Sequence, residues 1–236
     1  MRKWKIVLIS VVCAVALLAA GFGWYVGDYY RADEPAVAAM AAARPVGSAM
    51  VFMPEEPHTG LIFYPGGKVE YSAYAPLMRM LADRGVLCAL VEMPFNLAVL
   101  DMNAADGIAE QLPQVDRWFI GGHSLGGSMA ASYAAKNPDG FDGLVLLAAY
   151  STEEIDDMRV ISLYGSEDQV LNAEKYGQYW ENLPEDTVEI VIDGGCHAYF
   201  GSYGPQDGDG IPTITAQEQL NITADALADF FAGEDQ

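Results

Sequence analysis

Short apolar runs recur along the chain from residue 49 onward, and longer segments of helical character separate them. A short apolar run bounded by glycine or proline is typical of a strand that is buried on both faces of a parallel sheet. Strands that alternate with helices predict a doubly wound, mostly parallel sheet of the α/β class. The predicted strands are Ala49–Met53, Leu61–Tyr64, Leu87–Met93, Trp118–Ile120, Gly143–Ala149, Arg159–Tyr164 and Val188–Ile192.

The helical segments differ in how strongly their patterns support them. Tyr71–Arg84 places apolar residues at helical spacing. Asn96–Leu112 is predicted as a weaker helix, because Gly107 interrupts it. A capping box at Thr215 starts a C-terminal helix. Further helices are predicted directly after Trp118–Ile120 and over Asn172–Asn182.

The N-terminus contains an apolar segment that is long enough to cross a membrane. Residues 6–26 carry no charge, Arg2, Lys3 and Lys5 precede them, and acidic residues follow. This charge distribution predicts a single-pass anchor in the cell membrane, with its N-terminus in the cytoplasm and the rest of the chain extracytoplasmic. The alternative is a signal peptide that is cleaved before secretion. The predicted organisation is an anchor at 1–30, a linker or stalk at 31–47, for which a short helix is the alternative, and an α/β domain at 48–236.

The charge composition of the chain argues against one class of binding partner. The chain has 33 acidic and 12 basic residues, for a net charge of −21. Such a charge argues against nucleic acid, whose binding needs clustered basic residues. Cys88 and Cys196 are the only cysteines after the apolar segment, and we expect both to be free thiols. Nothing in the sequence indicates an oligomeric state.

The chemistry is concentrated between Arg117 and Tyr133, which read RWFIGGHSLGGSMAASY. An apolar strand runs into Ser124, with Gly122 two residues before it and Gly126 two residues after it. The glycines relieve crowding where the strand turns sharply into a helix, so the serine hydroxyl is exposed at the end of the strand. The helix that follows directs its unpaired N–H groups at the same place. This pattern predicts a nucleophile elbow.

With this motif, the chain from about residue 48 resembles the α/β-hydrolase superfamily, in particular its compact dienelactone-hydrolase-like branch. The resemblance implies the α/β-hydrolase fold and a serine hydrolase that cleaves an ester, lactone or thioester of a small or flexible molecule. An amidase or peptidase would use the same residues, and a membrane-tethered binding module would keep the same fold. Superfamily members with large lids insert them after the strand that corresponds to Gly143–Ala149. Only Tyr150–Met158 intervenes here, so we expect no large lid.

A serine nucleophile needs a base and an acid that orients the base. Among the three histidines, His58 precedes a strand and His123 adjoins the serine, where its ring is expected to point away from the hydroxyl. His197, in a glycine-rich turn after the last strand, is the predicted base. The resemblance places the acid at Asp168, and the order Ser, Asp, His agrees with it. Glu153 and Glu154 are the alternatives, and the neighbouring Glu167 is rejected because adjacent side chains point apart.

The oxyanion donors are predicted to be backbone N–H groups. Leu125 contributes one by its position at the helix start, and Gly67 contributes the other by resemblance, with Lys68 as the alternative. Phe95, Asn96 and Tyr199 lie in loops that are expected to contact substrate. No cofactor motif is present, and no metal is predicted, because Asp207 and Asp209 lack the regular ligand spacing of a calcium loop.

Overall fold

The computed structural model describes residues 2–233; Met1 and residues 234–236, at the ends of the predicted anchor and domain, lie outside it. Its centre is an eight-stranded sheet in the order β1-β2-β4-β3-β5-β6-β7-β8. The six strands from β3 to β8 are parallel, and β1 and β2 join antiparallel at one edge. The strands are β1 Arg44–Val46, β2 Ala49–Phe52, β3 Thr59–Tyr64, β4 Val86–Val91, β5 Arg117–His123, β6 Gly143–Leu147, β7 Arg159–Gly165 and β8 Val188–Ile192.

Helices cover both faces of the sheet, which confirms the predicted doubly wound α/β class. One buried cluster joins the sheet to the helices that carry Met40, Leu77 and Leu227. A second cluster, on the opposite face, joins it to the helix that carries Ala130 and to the segment around Ile108. The helices are α1 Arg2–Gly27, α2 Glu34–Met40, α3 Ala75–Ala82, α4 Leu125–Lys136, α5 Ala173–Gln178 and α6 Ala216–Ala232.

The predicted helix at 96–112 is wrong. Short 3₁₀ turns at Pro94–Asn96, Ala98–Leu100 and Ala109–Gln111 take its place. Phe95 and Asn96 begin the segment with φ values of 54° and 57°, in the left-handed region that a right-handed helix cannot include. The segment still packs on the sheet, because its apolar residues are buried in the second cluster.

Residues 31–47, predicted as a linker or stalk, pack on the domain. Asp33 caps α2 by accepting the N–H of Ala36, whose side chain is fully buried. The strand β1 then pairs with β2 and extends the sheet. The short helix that is the alternative to a stalk is present as a helix at Glu34–Met40, and it packs on the first buried cluster through Ala39 and Met40.

The side chains of the N-terminal helix α1 are exposed from Lys3 to Tyr25. Within residues 2–233, Lys3–Gly27 is the one helix that is long and apolar enough to cross a membrane, with a mean hydropathy of 2.7 and none of its window buried. A signal sequence near an N-terminus has the same length and composition. The helix therefore has the length and composition of a membrane anchor or of a signal peptide.

The carboxyl ends of the parallel strands carry the loops in which the sequence predicts the site. Between β6 and β7 the described chain has only an irregular segment, Ala148–Met158, and no helix. This edge of the sheet is accordingly without a large lid, as expected. Ligands of open α/β sheets bind in the crevice outside these strand ends.

Candidate active site

A sharp turn at Ser124 connects β5 to α4. Ser124 has φ 53° and ψ −124°, a conformation that a residue other than glycine adopts only where its surroundings impose it. Its N–H donates to the carbonyl of Leu147 on β6 at 2.9 Å. A side chain at Gly122 would meet the backbone of Gly126 and the carbonyl of Tyr64. Glycine at these positions is thus what allows strand and helix to approach each other around the serine.

His197 and Asp168 form a buried pair beyond the ends of β8 and β7. His197 Nδ1 and Asp168 Oδ2 are 2.8 Å apart, and the side chains are 2% and 1% exposed. The other carboxylate oxygen, Oδ1, accepts the N–H groups of Val170 at 2.9 Å and Leu171 at 2.8 Å. These bonds fix the carboxylate, which in turn fixes the plane of the imidazole ring.

The other acids that the sequence offered take different positions. Glu153 and Glu154 are exposed in the segment after β6. Glu167 accepts a hydrogen bond from Ser166 Oγ at 3.2 Å. Among these carboxylates, the structure brings only that of Asp168 to the imidazole.

Two polar side chains hold the backbone of the His197 turn, and sequence analysis assigned neither of them this role. Asp209 accepts the N–H groups of His197 at 3.2 Å and Ala198 at 2.9 Å. Gln219, fully buried on α6, accepts the N–H of Cys196 at 2.9 Å and donates to its carbonyl at 2.8 Å. These contacts anchor the turn on both sides of the ring.

Both residues carried a signal that was open to another interpretation. Gln219 precedes Thr223 and Leu227 at four-residue spacing on the inner face of the C-terminal helix, and an amide at a buried position indicates a hydrogen-bonding role. Asp209 lies in an acidic loop that suggests a calcium ligand, but both of its carboxylate oxygens accept backbone N–H groups. Within residues 2–233, no three His, Cys, Asp or Glu side chains are arranged to hold a metal ion.

The turn after β3 lies beside the nucleophile turn, because β3 and β5 are neighbours in the sheet. The N–H of Gly66 donates to Tyr74 Oη at 3.0 Å, and the N–H of Lys68 donates to the carbonyl of Asn96 at 2.8 Å. The N–H of Gly67, which lies between these two in the chain, has no acceptor among the described residues. The bond to Asn96 argues against Lys68 as the oxyanion donor.

Gly67 also packs against the first residue of α4. A side chain at Gly67 would meet Leu125 Cδ2 at 2.8 Å. Leu125 begins the helix, so its N–H has no intrahelical partner. Within the described chain, the N–H groups of Gly67 and Leu125 therefore both have no acceptor, and their role as oxyanion donors stays a prediction.

His123 supports the site through a contact with Tyr74 that the sequence did not reveal. Its Nδ1 lies 2.8 Å from Tyr74 Oη, and its ring centroid lies 4.5 Å from that of His197. Burial, together with the neighbouring His197, lowers the pKa of His123 well below its usual value, so the ring stays neutral. Burial likewise raises the pKa of Tyr74, which keeps its hydroxyl protonated. Tyr74 therefore joins the turn at Gly66 to the residue that precedes the serine.

Cys196 adjoins His197, but its buried environment disfavours the reactive thiolate. Burial raises the pKa of the Cys196 thiol to about 12, so it is protonated at neutral pH. Cys88 lies in β4, and the strands β3, β5, β6 and β7 separate it from the end of β8, where Cys196 follows. At about 4.8 Å per strand, this separation is too large for a disulfide.

A cavity of about 310 Å³ opens beside Ser124 and His197. Met129, Tyr150 and Leu171 are among the residues that line the rest of it. The three residues predicted to contact substrate lie outside this lining. Phe95 is exposed and contacts Phe22, the carbonyl of Asn96 accepts the Lys68 N–H, and Tyr199 packs on the first buried cluster. A substrate role for these three residues stays a prediction.

The sequence of this chain matches one known protein family. The model of the alpha/beta hydrolase family matches residues 60–221. The chain belongs to the alpha/beta hydrolase family. The match includes Ser124, Asp168 and His197, as well as the turn at Gly67. A search of curated proteins finds no match to the chain.

Solved structures of hydrolases share the fold of this alpha/beta hydrolase at low identity. Esterase 2 of Thermogutta terrifontis, phosphoramylated by tabun, superposes with a TM-score of 0.61 at 14% identity, over 83% of this chain and 98% of that one. Est1E of Butyrivibrio proteoclasticus, with ferulic acid bound, gives 0.60 at 14% identity, over 77% and 92%. Dienelactone hydrolase of Anabaena variabilis gives 0.54 at 15% identity, over 78% and 89%.

Proposed function

We propose that this alpha/beta hydrolase cleaves a carboxylic ester, a lactone or a thioester through an acyl-enzyme on Ser124. The observation that carries the proposal is the buried Asp168–His197 pair, whose imidazole lines the same cavity as the strained serine. That combination of nucleophile, base and orienting acid is what acyl transfer requires. The esterase neighbours support a carboxylic ester as the substrate.

In the first half of the reaction, His197 removes the proton of Ser124 as its oxygen attacks the substrate carbonyl. The N–H groups of Gly67 and Leu125 stabilise the resulting oxyanion. Asp168 stabilises the imidazolium, which then protonates the leaving alcohol. In the second half, His197 deprotonates a water molecule that attacks the acyl-enzyme, and Ser124 leaves as a free hydroxyl.

The test is hydrolysis of p-nitrophenyl esters of graded chain length by the full-length protein and by Ser124→Ala. Loss of the nucleophile is expected to lower kcat on the order of a million-fold without unfolding the protein. Ser132→Ala is the matched control, because Ser132 is a buried serine on α4, the helix that follows Ser124, and lies outside the cavity lining. A fluorophosphonate should label wild type and Ser132→Ala but not Ser124→Ala. Folded Ser124→Ala protein with near wild-type turnover would refute the assignment.

We infer further that α1 is an uncleaved anchor that places the hydrolase domain on the extracytoplasmic face of the cell membrane. The uncharged residues 6–26, with basic residues before them, support this orientation. The full-length protein should stay with membranes after high-salt and carbonate washes. A mature N-terminus near Gly21 would instead show a cleaved signal peptide and a secreted enzyme.

A further inference from the structure

The segment that follows α1 is bound to both loops that flank the catalytic serine. Tyr30 pairs with the turn after β3: its N–H donates to the carbonyl of Lys68 at 2.8 Å, and its carbonyl accepts the N–H of Glu70 at 2.9 Å. On the other side, Tyr30 Oη accepts the N–H of Asp207, in the loop that follows His197, at 3.0 Å. The end of the apolar helix is therefore attached to the catalytic edge of the sheet.

The last turns of α1 also contact this edge. Lys68 Nζ lies 2.9 Å from Asp28 Oδ2 and 4.8 Å from the centroid of the Tyr25 ring. Phe22 meets Phe95 edge-to-face with ring centroids 5.4 Å apart. The helix before Phe22 is exposed, so α1 leaves the domain at this point.

Apolar side chains are exposed beside the point where the helix leaves. Phe95, Val99 and Leu100 are 57%, 54% and 50% exposed, on the loop that follows β4. Exposed apolar groups are commonly scattered singly over protein surfaces, whereas contiguous ones indicate contact with a partner or a membrane. Because Phe95 touches a residue of the span itself, the bilayer is the partner that is continuous with this surface.

The length of the connection limits the distance between the span and the site. Three residues lead from Gly27, the end of α1, to Tyr30, which pairs with Val69. Three residues extend at most about 11 Å. Val69 lies two residues after Gly67, the proposed oxyanion donor, so the reacting centre is held close to the outer end of the helix.

We propose that the active site works at the bilayer surface and that its substrate is an amphiphilic ester presented by the membrane. The proposal rests on the hydrolase function and on a retained anchor. The cavity of about 310 Å³ receives the short or flexible end of the substrate that carries the scissile bond. The apolar remainder stays in the membrane beside Phe95, Val99 and Leu100. Since the net charge of −21 repels anionic lipid, the contact is apolar rather than electrostatic.

The test uses two nitrophenyl butyrates. One is bare and water-soluble, and the other carries on its nitrophenyl ring a hexadecyl chain that places it in phosphatidylcholine vesicles. The full-length protein is reconstituted into the same vesicles, and release of nitrophenolate gives kcat/KM for each ester. The measured quantity is the ratio of the hexadecyl value to the bare value. Because the scissile bond is the same in both esters, the ratio reports presentation by the membrane and not the chemistry.

Two variants should lower this ratio. A flexible insertion of ten Gly and Ser residues between Gly27 and Asp28 leaves every residue of the site unchanged. It should lower the ratio about tenfold, because effective concentration falls as the −3/2 power of linker length. The double variant Val99→Asp/Leu100→Asp should lower it on the order of tenfold, because charged groups replace apolar ones at the membrane. Val188→Asp, at the opposite end of the sheet, is the matched control and should leave the ratio unchanged.

A ratio unaffected by both variants, or equally affected by Val188→Asp, would overturn this inference while leaving the hydrolase assignment intact. A mature chain that lacks α1 would overturn it in the same way. Failure of the wild-type protein to hydrolyse either ester would overturn the proposed function as well.

Discussion

Replacing Tyr74 by phenylalanine removes one buried hydroxyl that serves two parts of the site. Tyr74 Oη accepts the N–H of Gly66 at 3.0 Å and lies 2.8 Å from His123 Nδ1. The substitution keeps the ring and its packing against Phe63. It thus removes hydrogen bonds and leaves the apolar core almost unchanged.

The expected loss of stability follows from the two groups that lose their partner. Gly66 and His123 are both buried, so water cannot replace the hydroxyl. A buried polar group without a partner costs about 1–3 kcal/mol, so the loss of partners by these two groups should decrease the free energy of unfolding by about 2–6 kcal/mol. The turn that carries Gly67 should also loosen. A fully lost oxyanion donor costs about 10²–10³ in kcat, and a loosened one should cost on the order of tenfold.

Urea unfolding of the full-length protein in detergent at pH 7.5 measures the first effect, and p-nitrophenyl butyrate hydrolysis measures the second. Tyr203→Phe is the matched control, because Tyr203 is also buried but its hydroxyl bonds to half-exposed Gln206 at 3.1 Å. Water can replace that partner, so the control should lose about 1 kcal/mol or less. Equal losses in the two variants would refute the role assigned to the Tyr74 hydroxyl.

Three further results are expected. Asp168→Asn should lower kcat on the order of 10⁴-fold, whereas Glu153→Gln should retain turnover of p-nitrophenyl butyrate. Loss of turnover in Glu153→Gln but not in Asp168→Asn would instead assign the orienting acid to Glu153, after β6. Gly126→Ala should destabilise the protein by about 3 kcal/mol or more in urea unfolding, because a methyl group there meets the backbone that ends β3. Gly177→Ala is its control: this glycine lies in open space on α5, so the substitution should instead stabilise the protein by about 0.5–1 kcal/mol. His123 has a lowered native pKa, so below pH of about 6.5 only the unfolded chain binds its proton. Stability should be complete above that pH and fall by about 1.4 kcal/mol per unit below it, and a fold-preserving His123→Gln variant should have a smaller slope in urea titrations from pH 7.5 to 5.

The nucleophile turn was predictable from sequence because its geometry is local. Glycine at 122 is required by its contact with the helix that directly follows the strand, whereas the space at Gly126 is limited by the neighbouring backbone that ends β3. The apolar run before Ser124 and the small residues after it define that strand and helix without help from elsewhere in the chain. The sheet class was equally accessible, since strands alternating with helices predict a doubly wound, mostly parallel sheet, whereas the order of its strands came from the structure.

The segment 96–112 shows where local pattern is overridden. Its alanines and apolar spacing resemble a helix, but the Tyr64 hydroxyl on β3 donates to the carbonyl of Met102 at 2.8 Å and accepts the N–H of Ala105 at 2.9 Å. An α-helix would pair these backbone groups with groups in its own neighbouring turns. The partner lies 38 residues or more away along the chain, so no local window contains it.

What the sequence by itself determined is the set of chemical groups: the serine between its two glycines, one histidine in a glycine-rich turn, and a carboxylate after a buried strand. Only the tertiary structure decided which groups meet and what holds them. Gln219 reaches Cys196 from a helix 23 residues further along, and Asp209 closes the same turn from the loop between them. The segment at Tyr30 meets the oxyanion turn in the same non-local way. Such contacts depend on the order in which strands and helices pack, and side chains far apart in sequence become neighbours only when that packing is complete.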